Sequence, residues 1–285
     1  MEAYIAAAIQ MTSTPALQSN LAQAEQLIAE AVGRGATFIG LPENFAFMGP
    51  EVDKLAKLET ISTYAETFLI ETARRHRITL LGGGFPVPCG ENRFYNTALL
   101  VGPTGEPLAR YEKIHLFDVN LPDGYTYRES DTVVPGARVV LADAGPLGKI
   151  GVTVCYDLRF PELYRQLALQ GAEVLVVPSA FTAYTGKDHW RPLLRTRAIE
   201  NTCYVIAPAQ VGEHYARRQT YGHAMIIDPW GNPLADAGDG EGMAIAPINP
   251  ERMVQVRQQL PTLEHCRLVK NDESVCPDSK MNLNG

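Results

Sequence analysis

The sequence has no closely spaced cysteine pair, no long apolar run and no excess of basic charge, and each absence removes a class of function. Its five cysteines, at 89, 155, 203, 266 and 276, are odd in number and never follow C-x-x-C spacing. Neither a disulfide framework nor a zinc ribbon is therefore expected, and free thiols suit a reducing, cytoplasmic setting. The opening "MEAYIAAAIQMT" carries an acid where a signal peptide carries basic residues, and its apolar part is too short to span a membrane. With 32 acidic residues against 25 basic ones, the net charge of −7 argues against a general grip on nucleic acid or anionic lipid. The patterns H-E-x-x-H, G-x-x-x-x-G-K-[ST] and G-x-G-x-x-G are all missing, so nothing calls for a metal or an organic cofactor. A small-molecule partner is what remains.

What is present reads as an α/β protein. The 285 residues, 46% hydrophobic and 20% charged, suit one large soluble domain or two ordinary ones. Short runs rich in β-branched residues and bounded by Gly or Pro recur, among them "TFIGLP", "KIGVTVC", "EVLVVPSA" and "CYVIAPA". Helical patterns lie between several of them. Residues 17–32 put Leu17, Leu21, Ala24, Leu27, Ile28 and Ala31 on one stripe that Gly33 and Gly35 stop. Segments 61–76, 161–172 and 190–201 read likewise. "NTALLVGPTGEPLARYEK" and "AMIIDPWGNPLADA" read as hairpins around Gly-containing turns. A simple doubly wound domain would not contain them, and two packed sheets fit better. No repeat or linker divides the chain, so one domain over residues 1–270 and a polar tail over 271–285 are expected.

The stretch "GVTVCYDLRFPELYR" ends a buried-strand pattern at Cys155 and offers Pro161 for the first turn of a helix. At such an elbow backbone N–H groups converge, and a positive helix end lowers a thiol pKa. Cys155 is thus either a nucleophile or a small hydrophobe in the core. Six histidines, at 76, 115, 189, 214, 223 and 265, leave Cys-His pairing open. Glu43 in "GLPENF" stands where a carboxylate at the end of a strand can reach a crevice. "YEKIHLFD" puts Lys113 and His115 on one side of the chain if that segment is a strand. Each residue alone also suits a solvated surface.

Taken together, "LPENF", "YEKIHLFD" and "VCYDLRFPEL" resemble the three signatures of the nitrilase, or carbon-nitrogen hydrolase, superfamily. The resemblance continues through "AAIQMTS", "GGGFP", "YNTALLV", "HWRPLLRTRAIEN", "YGHAMIIDPWG" and "RQQLP". It implies a four-layer α-β-β-α sandwich with two mixed six-stranded sheets, and a homodimer that extends the layers through helices. It also implies a Glu-Lys-Cys triad of Glu43, Lys113 and Cys155, joined by Glu129 from "YRESDTVVPG". On that pattern Cys155 attacks an amide carbonyl and Glu43, its pKa raised by partial burial, relays the proton. Lys113 and the backbone N–H of Tyr156 hold the oxyanion, while Glu129 positions Lys113 or the substrate nitrogen. No metal or organic cofactor is required.

Within the superfamily, Thr185 to Gly231 resembles the deaminated-glutathione amidase branch in "AQVGEH", Arg217-Arg218 and "YGHAMIIDPWG". That implies a small amide carrying carboxylates, cleaved to 2-oxoglutarate and cysteinylglycine as metabolite repair. The alternatives are ω-amidase action on 2-oxoglutaramate and, from another class, an inactive interaction protein or a thiol redox sensor at Cys155. Arg159 either meets the first carboxylate or pairs with Glu162. His214, Arg217 and Arg218 meet the glycyl end if their loop covers the site, and are otherwise solvated. His189 and Trp190 are candidates for the pocket wall, and Trp190 suits the core equally.

Overall fold

The computed structural model describes residues 1–122 and 126–268. The first half contains β1 (Tyr4–Met11), α1 (Leu17–Gly33), β2 (Phe38–Gly40), α2 (Glu51–Ala56), α3 (Leu58–His76), β3 (Thr79–Gly90), β4 (Arg93–Val101) and β5 (Pro107–Glu112), then the short β6 (Asp118–Asn120) and β7 (Thr126–Arg128). The second half runs β8 (Val140–Asp143), β9 (Lys149–Val152), α4 (Pro161–Leu169), β10 (Val174–Val176), α5 (Ala183–Asn201), β11 (Tyr204–Ala207), β12 (Ala209–Glu213), β13 (Gln219–Tyr221), β14 (Met225–Ile227), β15 (Pro233–Asp236), β16 (Gly242–Ile248) and α6 (Pro250–Gln259). The expected polar tail, 271–285, lies outside the described residues.

Two mixed sheets form, and one has the expected six strands, in the order β15-β14-β11-β10-β9-β8. In the other, β16-β1-β2-β3-β4-β5 make six strands, with β16 antiparallel to β1 from Tyr4 to Gln10. The β12–β13 hairpin then adds to β1 at Gln10 and Met11 and brings that sheet to eight. Both hairpins read from the sequence are present, as β4–β5 and β14–β15.

Side-chain alternation along the strands sets the layers, because successive residues face opposite sides of a sheet. Ala6, Ala8, Phe38, Leu81, Ala98 and Leu100 pack into one core with Val152, Val176 and Val205 of the second sheet. Their chain neighbours Ala7, Ile9, Ile39, Leu80, Leu99 and Val101 pack instead with Leu27 and Ile28 of α1 and Ala65 and Leu69 of α3. Leu163 and Leu167 of α4 and Leu194 of α5 join the first core from the far side of the second sheet. The order is therefore helix, sheet, sheet, helix. The α1 stripe behaves as its spacing predicts, with Leu21, Ala24, Leu27, Ile28 and Ala31 buried.

Two helices begin earlier than the sequence pattern indicates. Helix α3 starts at Leu58 rather than 61. Helix α5 starts at Ala183 rather than 190, capped by the Thr182 side chain, which accepts from the Thr185 N–H, and it carries Pro192 inside. Gly186 hides that first turn, because glycine reads as a helix breaker. A Cβ there would lie 2.3 Å from Cβ of Tyr221, so the helix needs a bare face where β13 packs.

One end of the sandwich gathers the chemistry. Strands β2 and β3 are parallel, and β5 regains their direction through two antiparallel pairings. The residues just past β2, β5, β9 and β10 include Glu43, Lys113, Cys155 and Ala180.

Candidate active site

Glu43, Lys113 and Cys155 meet in a cavity of about 220 Å³. All three are buried, with exposures of 4%, 2% and 8%. Strand β5 stops at Glu112, so Lys113 and His115 do not share a strand face. The Lys113 ammonium lies 3.2 Å from Glu43 Oε1 and 3.0 and 2.8 Å from the two oxygens of Glu129, whereas His115 turns to Asp157 at 2.7 Å.

Cys155 opens a five-residue 3-10 helix, Cys155–Arg159, with φ +50°. That left-handed backbone is unusual for a residue other than glycine and marks a sharp elbow. The Cys155 N–H is tied to Pro178 O at 3.0 Å, while no described residue accepts from the Tyr156 N–H. A free donor next to the sulfur is the arrangement an oxyanion requires. The α-helix proper starts only at Pro161.

The thiol and the Glu43 carboxylate share the cavity and act on each other electrostatically. Here the electrostatics correct the sequence expectation on both partners. Burial, then the Glu43 charge, push the Cys155 thiol well above its ordinary value, outweighing Lys113. Burial acts to raise Glu43 too, but Lys113, Cys155 and the Asn96 hydrogen bond together leave its carboxyl below the usual range. Burial pulls Lys113 down, and Glu129, Glu43 and Cys155 together more than reverse it. At neutral pH the site therefore holds a thiol, a carboxylate and an ammonium.

Asn96, just inside β4, escaped the sequence reading. Its Nδ2 donates to Glu43 Oε1 at 2.8 Å and to Glu129 Oε1 at 3.1 Å, holding both acids beside Lys113. The other Glu43 oxygen accepts from the Ala180 N–H at 3.0 Å. Gly84 explains part of the glycine run in "LGGGF". With φ +62°, a Cβ there would lie 2.7 Å from Asn96 Oδ1 and 2.8 Å from Glu43 Cγ, so the backbone passes where no side chain fits. Asp157 also went unnoticed, although it follows Cys155 by two residues and is fully buried. Its oxygens accept from the N–H groups of Val154 and His115 and from the Tyr111 hydroxyl.

The substrate-side candidates divide. Arg218 lines the cavity with Tyr127, Tyr156, Phe181 and Tyr215. Arg159 does not line it and forms no ion pair with Glu162. Its guanidinium lies over the rings of Tyr156 and Phe181 at 5.8 and 5.1 Å, with Nη1 3.3 Å from Nδ1 of exposed His189. Trp190 is core: it is fully buried behind Phe181 and donates to His223 O at 2.8 Å. His214 sits between Ser13 O and Thr220 Oγ1, each 2.7 Å from a ring nitrogen. Burial pushes its pKa down to about 4, so it is no cation at neutral pH. Arg217 is exposed and outside the cavity lining. Among the described residues, no group of three or more His, Cys, Asp or Glu is arranged to hold a metal, and no helix is long and apolar enough to cross a membrane.

A family profile described as carbon-nitrogen hydrolase matches residues 5–258. A protein of Synechocystis sp. named deaminated glutathione amidase is 60% identical over 268 residues, covering 93% of this chain and 98% of that protein. Among solved structures, the C. elegans NitFhit protein superposes with a TM-score of 0.88 at 36% identity, over 94% of this chain and 66% of that one. The Saccharomyces cerevisiae Nit3 structure, titled a member of branch 10 of the nitrilase superfamily, gives a TM-score of 0.81 at 31% identity, over 91% and 95% of the two chains.

Proposed function

The chain belongs to the carbon-nitrogen hydrolase family, and from that premise we propose that it is a Cys155-dependent amidase acting on deaminated glutathione. The observation that carries this reading is Cys155 in one cavity with Glu43 and Lys113, Lys113 lying 3.2 Å from the Glu43 carboxylate, in a chain 60% identical to a deaminated glutathione amidase.

The chemistry follows from the resting protonation states. Glu43 takes the thiol proton as Cys155 sulfur attacks the amide carbon, so no free thiolate has to persist in the buried site. The negative oxygen that develops is held by the Lys113 ammonium and the Tyr156 N–H. Glu43 then returns the proton to the departing nitrogen, cysteinylglycine leaves, and the acyl group remains as a thioester on Cys155. Water, deprotonated by Glu43, attacks that thioester and frees 2-oxoglutarate. Glu129 and Asn96 hold Lys113 and Glu43 in register during both steps.

The catalytic unit is residues 1–270, working in the cytoplasm as a homodimer. Support for pairing comes from exposed apolar side chains, Ile199 on α5, Trp230 in the β14–β15 turn and Val254 on α6, which are 48%, 45% and 48% exposed.

Hydrolysis of deaminated glutathione and of 2-oxoglutaramate, measured side by side as kcat/KM, tests the assignment. The expected result favours deaminated glutathione. Faster turnover of 2-oxoglutaramate makes the protein an ω-amidase, and no turnover of any amide leaves an interaction protein or thiol sensor.

A further inference from the structure

Resting on the amidase reading, we propose that Arg218 is the side chain that receives a carboxylate of the substrate. Four cations line the cavity among the described residues, and three are already committed. Lys113 is shared by Glu43 and Glu129. Lys54 lies 2.6 Å from Glu51 and over the ring of Phe94. Arg128 is exposed and bonded to Tyr127 O and Asn120 Oδ1.

Arg218 differs in its partners. Its guanidinium donates to the Tyr215 hydroxyl at 3.4 Å and lies 5.5 Å from the centre of the Tyr127 ring. Its Nε is buried with no acceptor, and no carboxylate pairs with it among the described residues. A half-buried guanidinium whose Nε is enclosed and unpaired still has hydrogen bonds to give, and an arriving carboxylate takes them through the two-pronged geometry a guanidinium offers. The aromatic face of Tyr127 and the Tyr215 hydroxyl hold the group without neutralising it.

The loop that carries Arg218 is fixed rather than loose. His214 N–H donates to Arg218 O at 2.9 Å, and Arg218 N–H donates to Tyr215 O at 2.9 Å. The His214 ring anchors this turn to Ser13 O and Thr220 Oγ1. His214 thus serves the carboxylate indirectly, as a positioning residue for Arg218.

The test compares deaminated glutathione with its dimethyl ester. Arg218→Gln is expected to lower kcat/KM on the dicarboxylate by ~10–100-fold, mainly through KM, and at least tenfold more than on the ester. Arg218→Lys should recover part of the loss. An equal loss on both substrates would mean a structural role and overturn the proposal. A second readout needs no turnover: 2-oxoglutarate and cysteinylglycine are titrated into Cys155→Ala protein with and without Arg218→Gln. At least one should bind about tenfold more weakly to the double variant. Equal binding of both, or no binding of either to Cys155→Ala protein, sinks the Arg218 assignment even where deaminated glutathione is hydrolysed. Loss of binding in a protein that does not hydrolyse deaminated glutathione would retain Arg218 and reject the substrate.

Discussion

His115 Nδ1 lies 2.7 Å from Asp157 Oδ1, and this contact joins the loop that carries Lys113 to the 3-10 helix that carries Cys155. The same buried carboxylate also accepts from Val154 N–H at 2.8 Å and Tyr111 Oη at 2.7 Å. Nucleophile and ammonium are thereby set by one side chain that touches neither. Asp157→Ala should cost about 3–5 kcal/mol of stability and also lower kcat. Thermal melts and kcat should move together, and Asp157→Asn should recover more of the melting temperature than of kcat. An inactive variant with unchanged stability would contradict this positioning role.

Removing Lys113 leaves Glu43 and Glu129 facing each other across a buried gap. Lys113→Met should reduce kcat by at least about two orders of magnitude and destabilise the protein at neutral pH. Without the ammonium, burial pushes the Glu43 carboxyl above its unfolded value. The stability deficit should therefore shrink as pH falls toward 5, when one acid takes up a proton. Melting temperatures across that range check the sign.

Asn96 offers a more conservative probe of the same cluster. Asn96→Asp replaces a donor to both glutamates by a third negative charge, so Glu43 becomes easier to protonate. The acid limb of the kcat/KM profile should move to higher pH, with a loss on the order of tenfold at pH 7. An unchanged limb would remove Asn96 from the argument.

Activity and stability should respond to pH at different places. Glu43 is needed ionised, and its folded pKa lies below the usual carboxylate range. Its contribution to stability is present above the unfolded value and lost as pH falls through the folded one. The acid limb of activity should accordingly fall below about pH 4.3. His214, pushed down to about 4 from 6.5, contributes stability above pH 6.5 that is lost progressively toward pH 4. Melting temperature should therefore decline between those values while activity of the folded enzyme holds, and His214→Gln should flatten that decline.

Glu43, Lys113 and Cys155 were legible because each sits in a short motif at a strand end. The groups that organise them were not, since Asn96 meets Glu43 across 53 positions and Asp157 meets His115 across 42. Two packed sheets were suggested by the hairpin patterns and the layer order by the resemblance, whereas the extra hairpin on β1 depends on pairing between residues about 200 positions apart. His214, Arg217 and Arg218 looked equivalent as letters. Burial separates them, leaving one neutral ring, one solvated cation and one cation inside the cavity.

The left-handed backbone at Cys155, φ +50°, has a consequence for how this protein can change. Glycine adopts that conformation without strain, and a single-base change in either cysteine codon produces it. Cys155→Gly would relieve backbone strain while removing the sulfur. An inert but well-folded relative therefore lies one mutational step away, and thermal stability alone would not distinguish it from the parent.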